Sequence, residues 1–132
     1  MEAAQAFAQT QTIRVLIADD EPLFVNMVQA MLATEADIDI VGTARDGRAA
    51  VALFGELDPD VIVLDVSMPV MDGIEATGMI RERDPHACIL ILTGGTMPGD
   101  VDRARKAGAA AYVTKDRIAT ELIAEIRNLG SR

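Results

Sequence analysis

Aromatic residues are scarce in this chain of 132 residues, which has no Trp, one Tyr and three Phe although half of its residues are hydrophobic. A chain of this length normally forms one domain with a hydrophobic core of its own. With so few rings available, the core must be built from Ile, Leu, Val, Met and Ala side chains.

Cysteine is nearly absent as well and occurs once, at Cys88. A single thiol excludes an internal disulfide and a cysteine-rich metal site. Because Cys88 opens an apolar run, we expect it to be a small core residue rather than a reactive thiol.

Positively charged residues are in the minority, and long apolar runs are missing. Lys and Arg number 12 against 21 Asp and Glu, for a net charge of −9. This balance argues against nucleic-acid contact by the chain itself, since phosphate contacts need clustered Lys and Arg. No apolar run reaches the length of a membrane span, and the N-terminus lacks a basic region followed by a hydrophobic one. A cytoplasmic protein without membrane contact is therefore expected.

Short apolar runs alternate with segments of helical period. The runs predict strands at residues 13–18, 38–43, 61–64, 89–92 and 111–114. The intervening segments predict helices at residues 22–35, 47–57, from a capping box at 72–75 onward, 99–107 and 117–128. Such alternation predicts an α/β fold with a parallel sheet, right-handed crossovers and helices on both faces.

The two ends of the chain lack this alternation. Residues 1–11 are rich in Ala and Gln and are predicted to be a disordered or flexible N-terminal arm. Residues 12–129 are predicted to form the domain, and residues 130–132 a tail or the start of a linker.

Polar residues close four of the five predicted strands. Asp19 and Asp20 follow the first strand, Asp65 the third, Thr93 the fourth, and Lys115 comes after the fifth. Ligand sites of open α/β sheets gather at the carboxyl ends of the strands. We therefore expect three carboxylates, a hydroxyl and an ammonium to meet at one edge of one sheet.

This set of groups indicates a metal-assisted phosphoryl chemistry. Three neighbouring carboxylates repel one another unless a cation is present, and an all-oxygen site suits Mg²⁺ or Mn²⁺. A carboxylate beside a bound metal can attack phosphorus and form an aspartyl phosphate. Asp65 has the right chemical type for that nucleophile, and Lys115 and Thr93 for groups that hold the phosphoryl oxygens.

At residues 12–129 the sequence resembles the receiver domains of two-component response regulators. The resemblance depends on Asp19-Asp20, on the segment from Asp65 to Gly73 (DVSMPVMDG), on Thr93, and on residues 108–115 (GAAAYVTK). It implies a flavodoxin-like (βα)5 fold with a five-stranded parallel sheet in the order 2-1-3-4-5.

The resemblance also implies roles for the acidic residues. Asp65 would be the phosphoacceptor, receiving phosphate from a histidine kinase or from a small donor such as acetyl phosphate. Asp20 would ligate Mg²⁺ directly, Asp19 through water, and Ser67 through its backbone carbonyl, so that Asp19, Asp20, Asp65 and Ser67 form the metal site.

The remaining implied roles concern switching. Lys115 would pair with the phosphoryl group, Thr93 would move toward it, and Tyr112, expected to be partly buried in the sheet, would turn inward and remodel the surface. The domain would be a signalling module, with at most self-phosphorylation from small donors and slow autodephosphorylation of its own. Its partners would be a cognate histidine kinase and, once phosphorylated, a second copy in a homodimer.

Two departures from the common family pattern stand out. Thr93 is followed by Gly94-Gly95, which leaves the phosphoryl pocket open on that side and predicts altered dephosphorylation. Lys115 is followed by Asp116 instead of proline, so the peptide between them should be trans and Asp116 could cap the fifth helix. The Lys-Asp pair and residues 41–47 (VGTARDG) are similar to receivers attached to LuxR-type DNA-binding domains, which implies an attached output domain that this chain lacks.

Other interpretations remain open at this stage. Asp19 and Asp20 could be an ordinary N-cap pair before Pro22. The domain could be a stand-alone receiver acting through protein contacts, or a phosphohydrolase working through an aspartyl phosphate, although Ser67 stands where such an enzyme needs a second Asp. A flavodoxin-like cofactor binder would need a glycine- and hydroxyl-rich loop where this chain has Asp-Asp-Glu-Pro.

Overall fold

The computed structural model of the protein describes residues 12–94 and 99–131. The predicted N-terminal arm at residues 1–11, Gly95 of the Gly-Gly pair and Arg132 of the predicted tail lie outside the described residues.

In the described residues, five strands alternate with five helices, which confirms the predicted α/β class. The strands are β1 (Ile13–Ala18), β2 (Ile38–Ala44), β3 (Val61–Asp65), β4 (Ile89–Thr93) and β5 (Ala111–Thr114). The helices are α1 (Pro22–Ala33), α2 (Gly47–Leu57), α3 (Gly73–Arg83), α4 (Asp100–Ala107) and α5 (Ile118–Gly130), and a short 3₁₀ turn (Lys115–Arg117) joins β5 to α5. Observed and predicted ends coincide or differ by at most two residues.

All strand pairs are parallel, and the sheet order is β2-β1-β3-β4-β5. This is the flavodoxin-like order that the resemblance implied. In register, Ala18 lies beside Leu64 and Thr93 beside Thr114, so four strands end near one another. The residues that follow or close those strands are therefore held at one edge of a rigid sheet.

The core is aliphatic and lies in two layers, one on each face of the sheet. Leu16, Ile62, Leu64 and Ile91 pack with residues of α2, α3 and α4 on one face. Their strand neighbours, such as Ile17, Val63 and Leu92, pack with residues of α1 and α5 on the other. Because successive strand residues point to opposite faces and both faces are covered by helices, β3 and β4 are apolar up to the polar residue that ends each of them.

Helix α3 begins at the predicted capping box. The backbone N–H of Glu75 donates to Asp72 Oδ1 at 2.8 Å, and the Asp72 N–H donates to Glu75 Oε1 at 3.4 Å. Behind this cap, the Gly73 N–H donates to the Val66 carbonyl at 2.9 Å. A Cβ on Gly73 would lie 2.1 Å from the Asp65 carbonyl oxygen, so only glycine allows α3 to start this close to β3.

The predicted cap of α5 is wrong. The N-cap residue is Arg117, no side chain caps the helix, and Asp116 belongs to the 3₁₀ turn before it. The turn moves the N-cap position one residue past Asp116. The trans peptide between Lys115 and Asp116 is as expected, since the described residues contain no cis peptide.

In the described part of the chain, no helix has the length and apolar character that crossing a membrane requires.

Candidate functional site

The carboxyl edge of the sheet brings the predicted acidic residues together. One carboxylate oxygen from each of Asp19, Asp20 and Asp65 lies within 4.8 Å of the other two. Asp19 and Asp65 are buried, whereas Asp20 is exposed. The cluster therefore has a buried floor and one carboxylate open to solvent.

Lys115 reaches this cluster from the end of β5. Its Nζ lies 2.9 Å from Asp19 Oδ2 and 3.4 Å from Asp65 Oδ2, and it stands over the ring of Phe24 at 4.3 Å from the centroid. Burial acts to lower the pKa of Lys115, but its contacts with Asp19 and Asp65 outweigh burial and raise that pKa. The ammonium therefore stays charged and offsets part of the negative charge.

The environment of Asp65 opposes ionisation. Burial, followed by the charge of Asp19, raises the pKa of Asp65 from 3.8 to about 6, and Lys115 and a hydrogen bond from the Ser67 backbone oppose this rise. Near neutral pH, Asp65 is mostly ionised but its charge is poorly stabilised. A cation at this position would lower the energy of the carboxylate.

Asp19 has one satisfied and one poorly satisfied oxygen. Its Oδ1 accepts from the Glu21 N–H at 2.9 Å, whereas its buried Oδ2 accepts no well-directed hydrogen bond from the described residues and lies 2.9 Å from the Lys115 ammonium. The N-cap interpretation of Asp19 and Asp20 is wrong, because Glu21 is the N-cap of α1 and that helix has no side-chain cap.

The donor set fits a hard divalent cation. The buried Asp19 oxygen and the three clustered carboxylates are the oxygen ligands that Mg²⁺ and Mn²⁺ prefer. Ser67, the predicted carbonyl ligand, lines the same cavity of about 370 Å³ as Asp20 and Asp65. The acidic cluster could therefore hold Mg²⁺.

Thr93 and Tyr112 occupy different environments. Thr93 is buried at the end of β4 and lines the cavity together with Gly94. The expected sheet position of Tyr112 is confirmed, but its side chain is 47% exposed and so less covered than expected. It lies on β5, an edge strand of the sheet, where less of the chain covers a side chain.

Two residues at the site, Asp100 and Phe24, were missed in the sequence. Asp100, the first residue of α4, is buried and lines the same cavity, where it is paired with Arg103. Phe24 supplies the ring beneath Lys115. The only signal for Asp100 was an acidic residue at the start of a helix after β4, a common position for an acid.

Comparisons with known proteins agree with this architecture. Residues 15–127 match the response regulator receiver domain family. The transcriptional regulatory protein TrcR of Mycobacterium tuberculosis is 38% identical over 123 residues, which are 92% of this chain and 47% of TrcR. The response regulator protein VraR of Staphylococcus aureus is 36% identical over 116 residues, which are 88% of this chain and 56% of VraR.

A solved structure is similar over nearly the same range. The LuxR-family two-component response regulator from Aurantimonas sp. SI85-9A1 has a TM-score of 0.86 and 33% identity, covering 92% of this chain and 86% of that one.

The fold and the acidic edge define a signalling domain built on a parallel α/β sheet. The chain belongs to the receiver domain family of two-component response regulators. It spans about half the length of the curated relatives TrcR and VraR.

Proposed function

We propose that Asp65 accepts a phosphoryl group from the phosphohistidine of a cognate histidine kinase. The observation that carries this proposal is the position of Asp65: it is buried at the base of an open cavity, beside two further carboxylates and 3.4 Å from a lysine ammonium. In the transfer, a carboxylate oxygen of Asp65 bonds to phosphorus while the bond from phosphorus to the histidine nitrogen breaks. The electron pair of that bond leaves with the imidazole.

Asp19, Asp20 and Asp65 would hold Mg²⁺ or Mn²⁺, with the Ser67 carbonyl as a further ligand. When bound, the metal supplies the positive charge that neutralises the carboxylates and the transferring phosphoryl group. The chain's own contribution is to fix three carboxylates on rigid strand ends before the donor arrives.

Lys115 and Thr93 would hold the phosphoryl oxygens after transfer. Lys115 already lies against Asp65, and Thr93 lines the cavity from the neighbouring strand. Charge-assisted hydrogen bonds to phosphate oxygens are stronger than those between neutral groups. The product is thereby held in a pocket that existed before the reaction.

The switch would begin with the phosphoryl group, whose dianion takes the place of the single negative charge of the Asp65 carboxylate in this pocket. Thr93 would move toward the phosphoryl group, and Tyr112, exposed in this structure, would turn inward and alter the surface around β5. Homodimer formation and control of DNA binding in a longer regulator would follow from that surface change. Similarity to a LuxR-family response regulator supports this output, and a cytoplasmic location is part of the same proposal.

Catalytic turnover of a separate substrate is not part of the proposal. Ser67 stands where a phosphohydrolase of the aspartyl-phosphate type needs a second acid, and the comparisons favour a signalling domain. Activity of the domain itself would be limited to self-phosphorylation from small donors and slow autodephosphorylation.

The test is phosphorylation by acetyl phosphate with Mg²⁺, followed by intact mass. The control variant Asp39→Asn removes an exposed carboxylate near the start of β2, at the end of the sheet opposite the site. Wild type and Asp39→Asn should both gain one phosphoryl group. Asp65→Asn should gain none. Equal adduct yield in Asp65→Asn and wild type would reject Asp65 as the acceptor.

A further inference from the structure

Helix α4 carries two Asp–Arg ion pairs of the same spacing in very different environments. Asp102 and Arg105 form an exposed pair, with 59% and 69% of their side chains accessible. In the other pair, Arg103 is 61% exposed but the Asp100 side chain is only 9% exposed. Exposed pairs contribute little to stability, and a buried carboxylate is costly unless it is paired. The burial of Asp100 is therefore what distinguishes this pair from the exposed one.

Asp100 is buried against the candidate site itself. It lines the cavity that contains Asp65, Thr93 and Lys115. It also lines the adjoining cleft, of about 480 Å³, together with Ser67 and Arg103. Asp100 thus borders both spaces, and its partner Arg103 borders the cleft.

A charge in this position acts on whatever approaches Asp65. Phosphodonors are anions, and a carboxylate partly removed from water repels them more strongly than an exposed one does. The guanidinium of Arg103 attracts the same anions and offsets the charge of Asp100. The two members of the pair therefore act on an incoming donor with opposite sign.

We propose that Asp100 and Arg103 set donor specificity at Asp65: Asp100 slows transfer from small, highly charged donors, and Arg103 opposes this effect. The inference rests on the proposed role of Asp65 as phosphoacceptor. It adds a charge pair from α4 to the residues already placed at the strand ends.

The rate constant for phosphorylation of the full chain by acetyl phosphate is the quantity to measure, at saturating Mg²⁺ so that metal affinity does not enter. Asp100→Asn should react about three- to tenfold faster than wild type, and Arg103→Gln slower by a similar factor. The matched controls Asp102→Asn and Arg105→Gln, which alter the exposed pair on the same helix, should react at the wild-type rate.

A second phosphodonor distinguishes an electrostatic effect of Asp100 on the rate from a structural one. Phosphoramidate carries a protonated nitrogen and has a lower net charge than acetyl phosphate, so the Asp100→Asn gain should be smaller with it. The gain should also shrink as salt is raised, because salt screens charge–charge interactions. Thermal unfolding identifies any variant that fails to fold. If Asp100→Asn does not fold, Asp100→Ser replaces it, because serine is also suited to a helix start.

The two hypotheses fail in different ways. If Asp100→Asn and Arg103→Gln shift the rate in the same direction, or by no more than the exposed-pair controls, the pair merely stabilises α4 and the inference is overturned. If neither donor phosphorylates wild type at Asp65, the proposed function itself fails.

Discussion

The ammonium of Lys115 lies closer to Asp19 than to Asp65, at 2.9 Å from Asp19 Oδ2 and 3.4 Å from Asp65 Oδ2. The closer partner is a buried oxygen that lacks any other well-directed contact among the described residues. Lys115 therefore provides the positive charge that keeps two buried carboxylates tolerable when no metal is bound.

Replacing Lys115 with Met should destabilise the metal-free protein at pH 7.5. The loss should be about 1–3 kcal/mol, less than for a fully buried pair because Lys115 is partly exposed. Mg²⁺ should restore more stability to this variant than it adds to wild type, since the metal supplies the missing charge. Chemical denaturation with EDTA and with Mg²⁺ measures both effects.

The control for this variant is Lys106→Met on α4, where the lysine is exposed and forms an ion pair with the exposed Asp102 at 3.4 Å. It should leave the free energy of unfolding nearly unchanged. A Lys115→Met protein as stable as Lys106→Met would contradict the role assigned to Lys115.

Asp65→Asn should change how stability depends on pH. Because the pKa of Asp65 is raised from 3.8 to about 6 by folding, the folded state binds its proton more tightly than the unfolded state. Wild type without metal should therefore lose stability, relative to Asp65→Asn, as pH rises from about 4 through 6. Above pH 7 the variant should be more stable by up to about 3 kcal/mol.

Paired denaturation curves of the two proteins in EDTA, between about pH 4 and pH 7.5, test this difference. Titrating groups remote from Asp65 cancel in the comparison. A stability difference that stays constant across this range would show that Asp65 has an ordinary pKa.

Substitution by alanine at two glycines of α3 should change the free energy of unfolding in opposite directions. Gly73→Ala places a Cβ 2.1 Å from the Asp65 carbonyl and should cost at least about 1–3 kcal/mol. Gly78→Ala meets nothing within 4 Å and should stabilise the helix by about 0.5–1 kcal/mol. Thermal unfolding of both variants decides the point, and a Gly73→Ala protein of wild-type stability would show that β3 and α3 are less tightly packed.

Val70 occupies a strained turn beside the site. Its φ is +70°, it is 74% exposed, and the Met71 N–H donates to the Pro69 carbonyl at 2.7 Å across it. A β-branched residue is costly in this region, so Val70→Gly should raise the free energy of unfolding by about 0.5–1 kcal/mol after the entropy cost of glycine. Val70→Ala keeps a Cβ and should gain less, so equal gains for the two variants would argue against backbone strain.

The alternation of apolar runs was sufficient to predict the strands and the position of the polar residues that follow them. A parallel sheet leaves little freedom here: once β1, β3, β4 and β5 pair in register, their carboxyl ends must meet. Asp19, Asp20, Asp65 and Lys115 could be placed together for that reason, without any knowledge of side-chain positions.

Features that depend on tertiary packing could not be predicted from the sequence pattern. Asp is common at helix starts whether it faces solvent or a cavity. The burial of Asp100 could therefore not be predicted from the sequence. The exposure of Tyr112 depends on what covers an edge strand, and the cap predicted for Asp116 failed because a 3₁₀ turn intervenes. Each of these depends on how a helix is placed against the sheet rather than on local residue order.

The central claim is that Asp65 carries the phosphoryl group, and chemical mapping tests it most directly. After reaction with acetyl phosphate and Mg²⁺, borohydride reduces an acyl phosphate to the corresponding alcohol, and peptide mass spectrometry locates it. Homoserine is predicted at position 65 and at no other aspartate. Homoserine at position 19, 20 or 100 with an intact Asp65 would contradict the claim.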